Sequence, residues 1–161
     1  MPSASTQRLE FEGKLLERGF WLYVWEIKSP PGKAVYYVGR TGDSSSPHAQ
    51  SPFNRMSQHL GFAEASNTLR KQLKKRKLTP EKCLFRLIAH GPVFPEGSGM
   101  AQHSKRRDII AGLEKKLADA MEEAGYDVLN KVDSLKALDQ KLWRQVKKAF
   151  AVDFPKLESV K

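Results

Sequence analysis

Phe20-Trp21-Leu22-Tyr23-Val24-Trp25-Glu26-Ile27 and Ala34-Val35-Tyr36-Tyr37-Val38-Gly39 are the two segments on which the reading of this chain turns. Both are rich in aromatic and β-branched residues, the composition of buried strands. Between them, Ser29-Pro30-Pro31-Gly32 has the chemistry of a turn. The pair therefore predicts a β-hairpin with a loop longer than the tight two-residue type. Strand side chains alternate between faces. If Tyr23 and Tyr37 are in register, their hydroxyls meet on one face and Tyr36 points the other way. Gly39, just past the second strand, leaves room for another backbone or a ligand to come close.

Before the hairpin, residues 7–18 leave helix and strand open. After it, Thr41 to Ser51 is rich in Gly, Asp, Ser and Pro and predicts a surface loop. Ser51-Pro52 predicts a helix start, with Ser as N-cap and Pro in the first turn. Phe53, Met56 and Leu60 follow at helical spacing, and Gly61 ends the run. A second helix is expected from about Asn67 to Leu78, capped by Ser66 or Asn67, before a break at Thr79-Pro80. Cys83 to Ala89 predicts a third strand, apolar enough to be central. Gly91 to Met100, with two prolines and three glycines, predicts a loop. Residues 103–124 carry Ile110, Leu113, Leu117, Ala120 and Met121 on one helical stripe, stopped by Gly125. Tyr126 to Val132 reads as short and extended. Residues 134–150 predict a last helix, with Leu135, Leu138, Leu142, Val146 and Ala149 on one side and Lys141, Arg144 and Lys148 on the other. The fold class expected is α/β: a small three-stranded sheet, made of the N-terminal hairpin plus one strand, flanked by helices. The units expected are an N-terminal extension (1–19), a central domain (20–132) and a C-terminal helical extension (133–161).

The whole chain bounds what this fold serves. Its 161 residues suffice for one domain with a real core. With 40% hydrophobic and 29% charged residues it reads as globular, not disordered. No apolar run is long enough to span a bilayer, and the first residues, Met1-Pro2-Ser3-Ala4-Ser5-Thr6-Gln7-Arg8, lack the apolar centre of a signal peptide. Cys83 is the single cysteine, which fits a reducing, cytoplasmic setting. The net charge is +10, from 28 Lys+Arg against 18 Asp+Glu, and points to a polyanionic partner, nucleic acid first. The basic residues cluster in Arg70, Lys71, Lys74, Lys75, Arg76 and Lys77, interrupted by Leu73 as in a short helix with one buried side. Lys105-Arg106-Arg107 and Lys147-Lys148 add to them.

Among the candidate chemical groups, Arg55 and His59 lie four apart on one predicted helix and project from one face. They stand beside the Phe53/Met56/Leu60 stripe, at the edge of the core; an exposed polar face is the other reading. Glu114 sits on the margin of an apolar stripe, where a carboxylate is costly unless it is paired, bound to metal or reaches out to Lys115 or solvent. A lone carboxylate suits Mg²⁺, which takes few protein oxygens and fills its shell with water and phosphate. Asn130 suits a turn cap or a support for a site. His48, His59, His90 and His103 are scattered and, with one cysteine, offer no zinc spacing. No glycine-rich phosphate loop precedes a Lys-Ser/Thr pair, so nothing points to a nucleotide or other organic cofactor.

Taken in order, these residues resemble the GIY-YIG nuclease family over roughly residues 20–132. Trp21-Leu22-Tyr23 stands where the first motif would be, with Trp21 in place of its first Gly. Tyr37-Val38-Gly39, followed by Arg40 and Thr41, stands at the second, with Val38 in place of Ile. Arg55 and His59 match an Arg-x-x-x-His variant of the helix motif, Glu114 in Leu113-Glu114-Lys115-Lys116-Leu117 the metal-binding Glu, and Asn130 in Val128-Leu129-Asn130 the closing Asn. The resemblance implies hydrolysis of a DNA phosphodiester with one divalent metal, Mg²⁺ or Mn²⁺, held by Glu114. It implies Tyr23 as base or relay with His59 taking the proton, Tyr37 orienting water or phosphate, Arg55 on the transition-state charge and Asn130 supporting the geometry. DNA-binding groups expected beside them are Arg40 and the Arg70, Lys71, Lys74, Lys75, Arg76, Lys77 cluster. A protein that binds nucleic acid on the same scaffold without cutting it, and a basic RNA-binding domain with exposed stacking aromatics, are the rival expectations.

Overall fold

The computed structural model describes residues 3–30 and 32–161; what the sequence suggests for Met1, Pro2 and Pro31 lies outside them. Strands β1 (Phe20–Lys28) and β2 (Ala34–Arg40) form the expected antiparallel hairpin, joined by a five-residue loop. Helices α1 (Pro52–Leu60) and α2 (Thr68–Lys75) follow, then strand β3 (Leu84–Phe94), helix α3 (Met100–Glu123) and helix α4 (Gln140–Ala151). Short 3₁₀ turns occupy Gly13–Leu16, Pro80–Lys82 and Pro155–Ser159, so residues 7–18 form neither a strand nor an α-helix. The fold is α/β, with a three-stranded antiparallel sheet and four helices. Among the described residues no helix is long and apolar enough to cross a membrane.

The sheet order is β2-β1-β3, so β1 is central and β3 is an edge, contrary to the sequence expectation. Apolarity misled here because β3 is half-buried along most of its length, packed by helices and the N-terminal segment without a further strand. The strand also runs through the segment expected to be a loop from Gly91. Leu22 faces His90 and Phe20 faces Phe94, so four residues of β3 span two of β1. The excess bulges out at Gly91-Pro92, and Pro92, which has no N–H to give a ladder, is tolerated on an edge strand.

Alternation along β1 and β2 gives the sheet two apolar faces. Phe20, Leu22, Val24 and Val38 pack on α3 and α4, through Ile110, Leu113, Leu117, Met121, Trp143, Val146 and Phe150. Tyr23, Trp25, Ile27, Val35 and Tyr37 pack on α1 and α2, through Met56, Leu60, Leu69 and Leu73. Tyr36 lies on the α4 side against Tyr126 and Phe154, as strand parity requires. Trp25 is buried, and Phe85 meets it edge-on while half-buried itself. The outer edge of β2 is covered by the chain after α3. Tyr36 N–H donates to Asp127 O at 2.9 Å, and Leu129 N–H donates to Tyr36 O at 2.7 Å.

The last helix starts six residues later than the periodicity of 134–150 suggests. Residues 134–139 are irregular, Leu135 is fully exposed, and the buried line of α4 is Trp143, Val146 and Phe150. Lys141, Arg144 and Lys148 are exposed on the opposite side, as expected. Two local features set the start. Asp139 is the true N-cap, its Oδ1 accepting from Leu142 N–H at 2.9 Å. The segment before it crosses α3 at Gly112, where a Cβ would stand 2.7 Å from the Ala137 carbonyl oxygen. Helix propensity alone would make Gly112→Ala a gain of about 1 kcal/mol. The crossing reverses the sign: a net loss of about 1–3 kcal/mol is expected from forcing backbone apart. Chemical denaturation of the variant checks this, and a rise in midpoint would show that the crossing is not tight.

Candidate active site

The open end of the hairpin, opposite its loop, gathers most of the candidate residues. Tyr23 pairs across the hairpin with Gly39, and Tyr37 pairs with Trp25, so the two tyrosines are diagonal neighbours on one face and not in direct register. Gly39 is what makes the arrangement fit. A Cβ there would overlap the Tyr23 ring and hydroxyl. The glycine admits the close approach expected of it, and the group that approaches is the protein's own Tyr23. The ring extends over β2 toward α1, where its hydroxyl lies 2.6 Å from His59 Nε2.

Helix α1 delivers His59 and Arg55. Ser51 caps it, accepting from Asn54 N–H at 3.2 Å, with Pro52 in its first turn. His59 is 2% exposed, more buried than the Met56 and Leu60 beside it, so it belongs to the core of the site and not to the margin of the helix. Its ring meets both tyrosine rings edge-on, at 5.9 Å for Tyr23 and 5.1 Å for Tyr37. Arg55 stands nearer the surface, its Nη1 donating to Gln58 Oε1 at 3.0 Å and its Nη2 to Asp43 Oδ2 at 3.3 Å. From α3, Glu114 reaches Arg40 at the end of β2, with Nε to Oε2 at 2.8 Å. Lys115, the other partner weighed for Glu114, pairs with Asp119. Arg40 is thereby engaged, and its Nη1 donates to the Arg107 carbonyl at 3.3 Å. Asn130 grips strand β2 from outside: its Oδ1 accepts from Val38 N–H at 3.0 Å and its Nδ2 donates to Val38 O at 2.7 Å. The amide continues the ladder begun by residues 127–129 and fixes the backbone between Tyr37 and Gly39.

Tyr23 and His59 are thus the floor of the site, and Arg55, Asp43, Arg40 and Glu114, with side chains 13–38% exposed, are its rim. Burial sets the protonation states. It pushes the Tyr23 hydroxyl far above the ordinary phenol range, against the pull of Arg55, and pushes Tyr37 up to about 12. Burial, helped by the Arg55 charge, brings His59 down to about 4, so its ring is neutral near pH 7. Burial raises Glu114 to about 7, more than Arg40 offsets. The site therefore rests as a neutral Tyr–His pair beneath a desolvated carboxylate and a guanidinium.

Of the basic cluster, only part is free to meet a partner. Arg70 is buried, its Nε donating to Leu60 O at 3.0 Å, its Nη1 to Glu81 at 2.6 Å, and its guanidinium stacked 4.4 Å from Phe62. It ties α2 to the end of α1 and leaves the expected DNA-binding set. Arg76 forms a bidentate pair with Asp127 at 2.9 and 2.7 Å, and Lys71 donates to the Glu64 carbonyl. Lys74, Lys75 and Lys77 are exposed. One site residue was missed in the sequence: Asp43, hidden in a run that reads as surface loop. The signal was there, since a half-buried Arg55 needs a counter-ion and Asp43 and Glu64 are the two acids between β2 and α2.

The His59 state gives a pH prediction. Its folded value lies below the unfolded 6.5, so the folded protein binds fewer protons. The stability this group contributes is complete above about pH 6.5 and is lost as pH falls toward 4. Wild type should lose stability relative to His59→Gln across that window, and the His59 ring should titrate by NMR near pH 4. A titration midpoint at 6.5 would contradict the burial described.

No family model, curated protein or solved structure matches the chain.

Proposed function

We propose that the protein is a metal-dependent endonuclease of the GIY-YIG type that hydrolyses DNA phosphodiesters with one divalent cation, Mg²⁺ or Mn²⁺. The observation that carries this reading is the 2.6 Å contact between the Tyr23 hydroxyl and His59 Nε2, beneath Arg55 and Glu114 at the open end of the hairpin. Glu114 fits a hard cation: its carboxylate is desolvated beyond what Arg40 compensates, and Arg40 is its one ion-pair partner among the described residues. A bound cation would supply charge for the phosphate and the leaving oxygen, with Glu114 holding it.

The chain's own groups divide the remaining work. Burial disfavours a standing phenolate at Tyr23, which favours concerted proton movement. With the ring proton on Nδ1, the Tyr23 hydroxyl donates to Nε2 of neutral His59. As Tyr23 takes a proton from the attacking water it passes its own to Nε2, leaving imidazolium and regenerating the phenol. Arg55 meets the charge that grows on the phosphorus oxygens. Tyr37, one residue from the Asn130 clamp, orients the water or the phosphate. Arg40 anchors Glu114 and is not the free phosphate clamp that its place after the second motif suggests.

Supercoiled plasmid with Mg²⁺ or Mn²⁺ tests the reading: nicking that EDTA abolishes is expected. Glu114→Ala should abolish cleavage while duplex affinity stays within a few-fold. Arg55→Ala and Tyr23→Phe should each lower single-turnover rates by ~10²-fold or more, with smaller changes in affinity. A Glu114→Ala protein that cuts within a few-fold of wild type sinks the metal assignment. DNA binding without metal-dependent cutting by wild type would favour the non-cleaving scaffold.

Salt dependence locates the DNA path. Lys74, Lys75 and Lys77 are exposed and, unlike Lys71, make no side-chain hydrogen bond or ion pair among the described residues. Replacing all three with Ala should make the log–log salt slope shallower by roughly two to three, at about 0.9 for each phosphate no longer neutralised. An unchanged slope would move the path away from α2.

A further inference from the structure

The Arg55–Asp43 pair differs from the Arg70–Glu81 and Arg76–Asp127 pairs. Arg70 and Arg76 each make contacts of 2.6–3.0 Å on two nitrogens. Arg55 holds Gln58 Oε1 at 3.0 Å and lies beside the Tyr23 hydroxyl. Its Nε, however, is buried with no close hydrogen-bond partner among the described residues, and its contact to Asp43 is a single one at 3.3 Å, long for a charge-assisted hydrogen bond. An arginine built only to hold α1 in place would not be left with a buried, idle donor.

Asp43, for its part, is placed by a braced loop. Thr41 is fully buried; its Oγ1 accepts from Trp21 N–H at 2.9 Å and donates to Gly19 O at 2.5 Å. Gly42 has φ +81, and a Cβ there would overlap the Phe20 ring, so the turn into Asp43 requires glycine. On the far side, Ser44 O accepts from His103 Nε2 at 3.0 Å and from Arg107 Nη1 at 3.4 Å, both on α3. Farther along, Ala49 is tied by Arg18 and Glu96. The loop is braced on either side of residue 43 and leaves its carboxylate, 38% exposed, within reach of Arg55 but not closed upon it.

We propose that Asp43 is a resident counter-ion that neutralises and aims the Arg55 guanidinium in the free protein and is displaced from it by a phosphate oxygen of the substrate. The proposal rests on the reading of Arg55 as the phosphate-binding group. It makes Asp43 a positioning residue and a selectivity device. An anion must compete with a carboxylate already in place, so weak or singly placed anions lose to a phosphodiester that also engages the rest of the site. Once displaced from Arg55, the Asp43 side chain would lie beside the bound phosphate, and replacing it with a neutral one relieves a like-charge contact.

A double-mutant cycle of Asp43→Asn and Arg55→Gln tests it. The readouts, available in every variant, are the affinity for a DNA duplex in EDTA and the affinity for inorganic phosphate followed by ³¹P NMR. Asp43→Asn is expected to tighten both by about tenfold in the Arg55 background. The gain should vanish with Gln at position 55. Asp43→Ser should behave like Asp43→Asn, which separates charge from side-chain shape. Unchanged or weaker binding in Asp43→Asn overturns the proposal, and so does a gain that persists with Arg55→Gln, since that reports net charge alone. The cycle needs no cleavage. If wild type cuts no DNA yet the two positions couple on phosphate, the nuclease reading fails and the counter-ion stands. If wild type cuts DNA and the positions do not couple, the counter-ion fails alone.

Discussion

The buried hydrogen bond between Tyr23 and His59 holds the site together. A phenol and an imidazole placed in an apolar interior are costly, and this bond satisfies the Tyr23 hydroxyl and His59 Nε2, while Nδ1 stays buried without a partner among the described residues. Meeting this demand ties the sheet to α1. It requires a glycine at position 39, over which the Tyr23 ring passes. It requires α1 to begin where Ser51 and Pro52 start it, so that His59 arrives two turns later facing the sheet. The same burial keeps both groups neutral, which is the state a concerted proton transfer needs.

A second constraint comes from the outer edge of β2. An unpaired edge exposes a row of backbone donors and acceptors. Here the chain after α3 returns alongside β2 through residues 127–129, and the Asn130 side chain supplies the next two hydrogen bonds. A side-chain amide presents a donor and an acceptor at the spacing of a peptide, so it can stand in for a strand without adding one. The chain is then free to leave, cross α3 at Gly112 and enter α4. Residues 140–160 bury Trp143, Val146, Phe150, Phe154 and Leu157 in the same core as β1, so this region completes the domain's hydrophobic face.

Electrostatics at the rim follow from the same packing. Glu114 comes from α3 on one side of the sheet and Arg55 from α1 on the other, and they approach only where the hairpin ends. Each carries a partner of opposite charge from neighbouring chain: Arg40 at the end of β2, Asp43 three residues beyond. The two pairs are unequal. The first is a close contact at 2.8 Å that anchors a carboxylate, while the second leaves a guanidinium with an idle buried donor. The basic surface on α2 likewise loses Arg70 to the packing and keeps its exposed lysines and Arg76.

Features written in local pattern were legible in the amino-acid order. Alternation across Phe20–Ile27 and Ala34–Gly39 specified a hairpin and put Tyr36 and Tyr37 on opposite faces, while the face that Tyr23 shares with Tyr37 was left to the register. Ser51-Pro52 marked the start of α1, and the stripe from Ile110 to Met121 specified α3. Features that join residues far apart in the chain were settled by packing alone. Apolar spacing continued through 134–139, but a crossing at Gly112 and a cap at Asp139 overrode it. Apolarity in 83–89 suggested a central strand, but pairing placed β3 at the edge. A run of basic residues looked uniform, but Glu81 and Phe62 hold Arg70 inside the fold, and Asp127 pairs with Arg76 at the surface. Asp43 looked like loop until Arg55 came to face it. The physical reason is the same throughout: a repeat of two or 3.6 residues fixes which way a side chain faces along its own element, while its partner depends on which distant segment packs there.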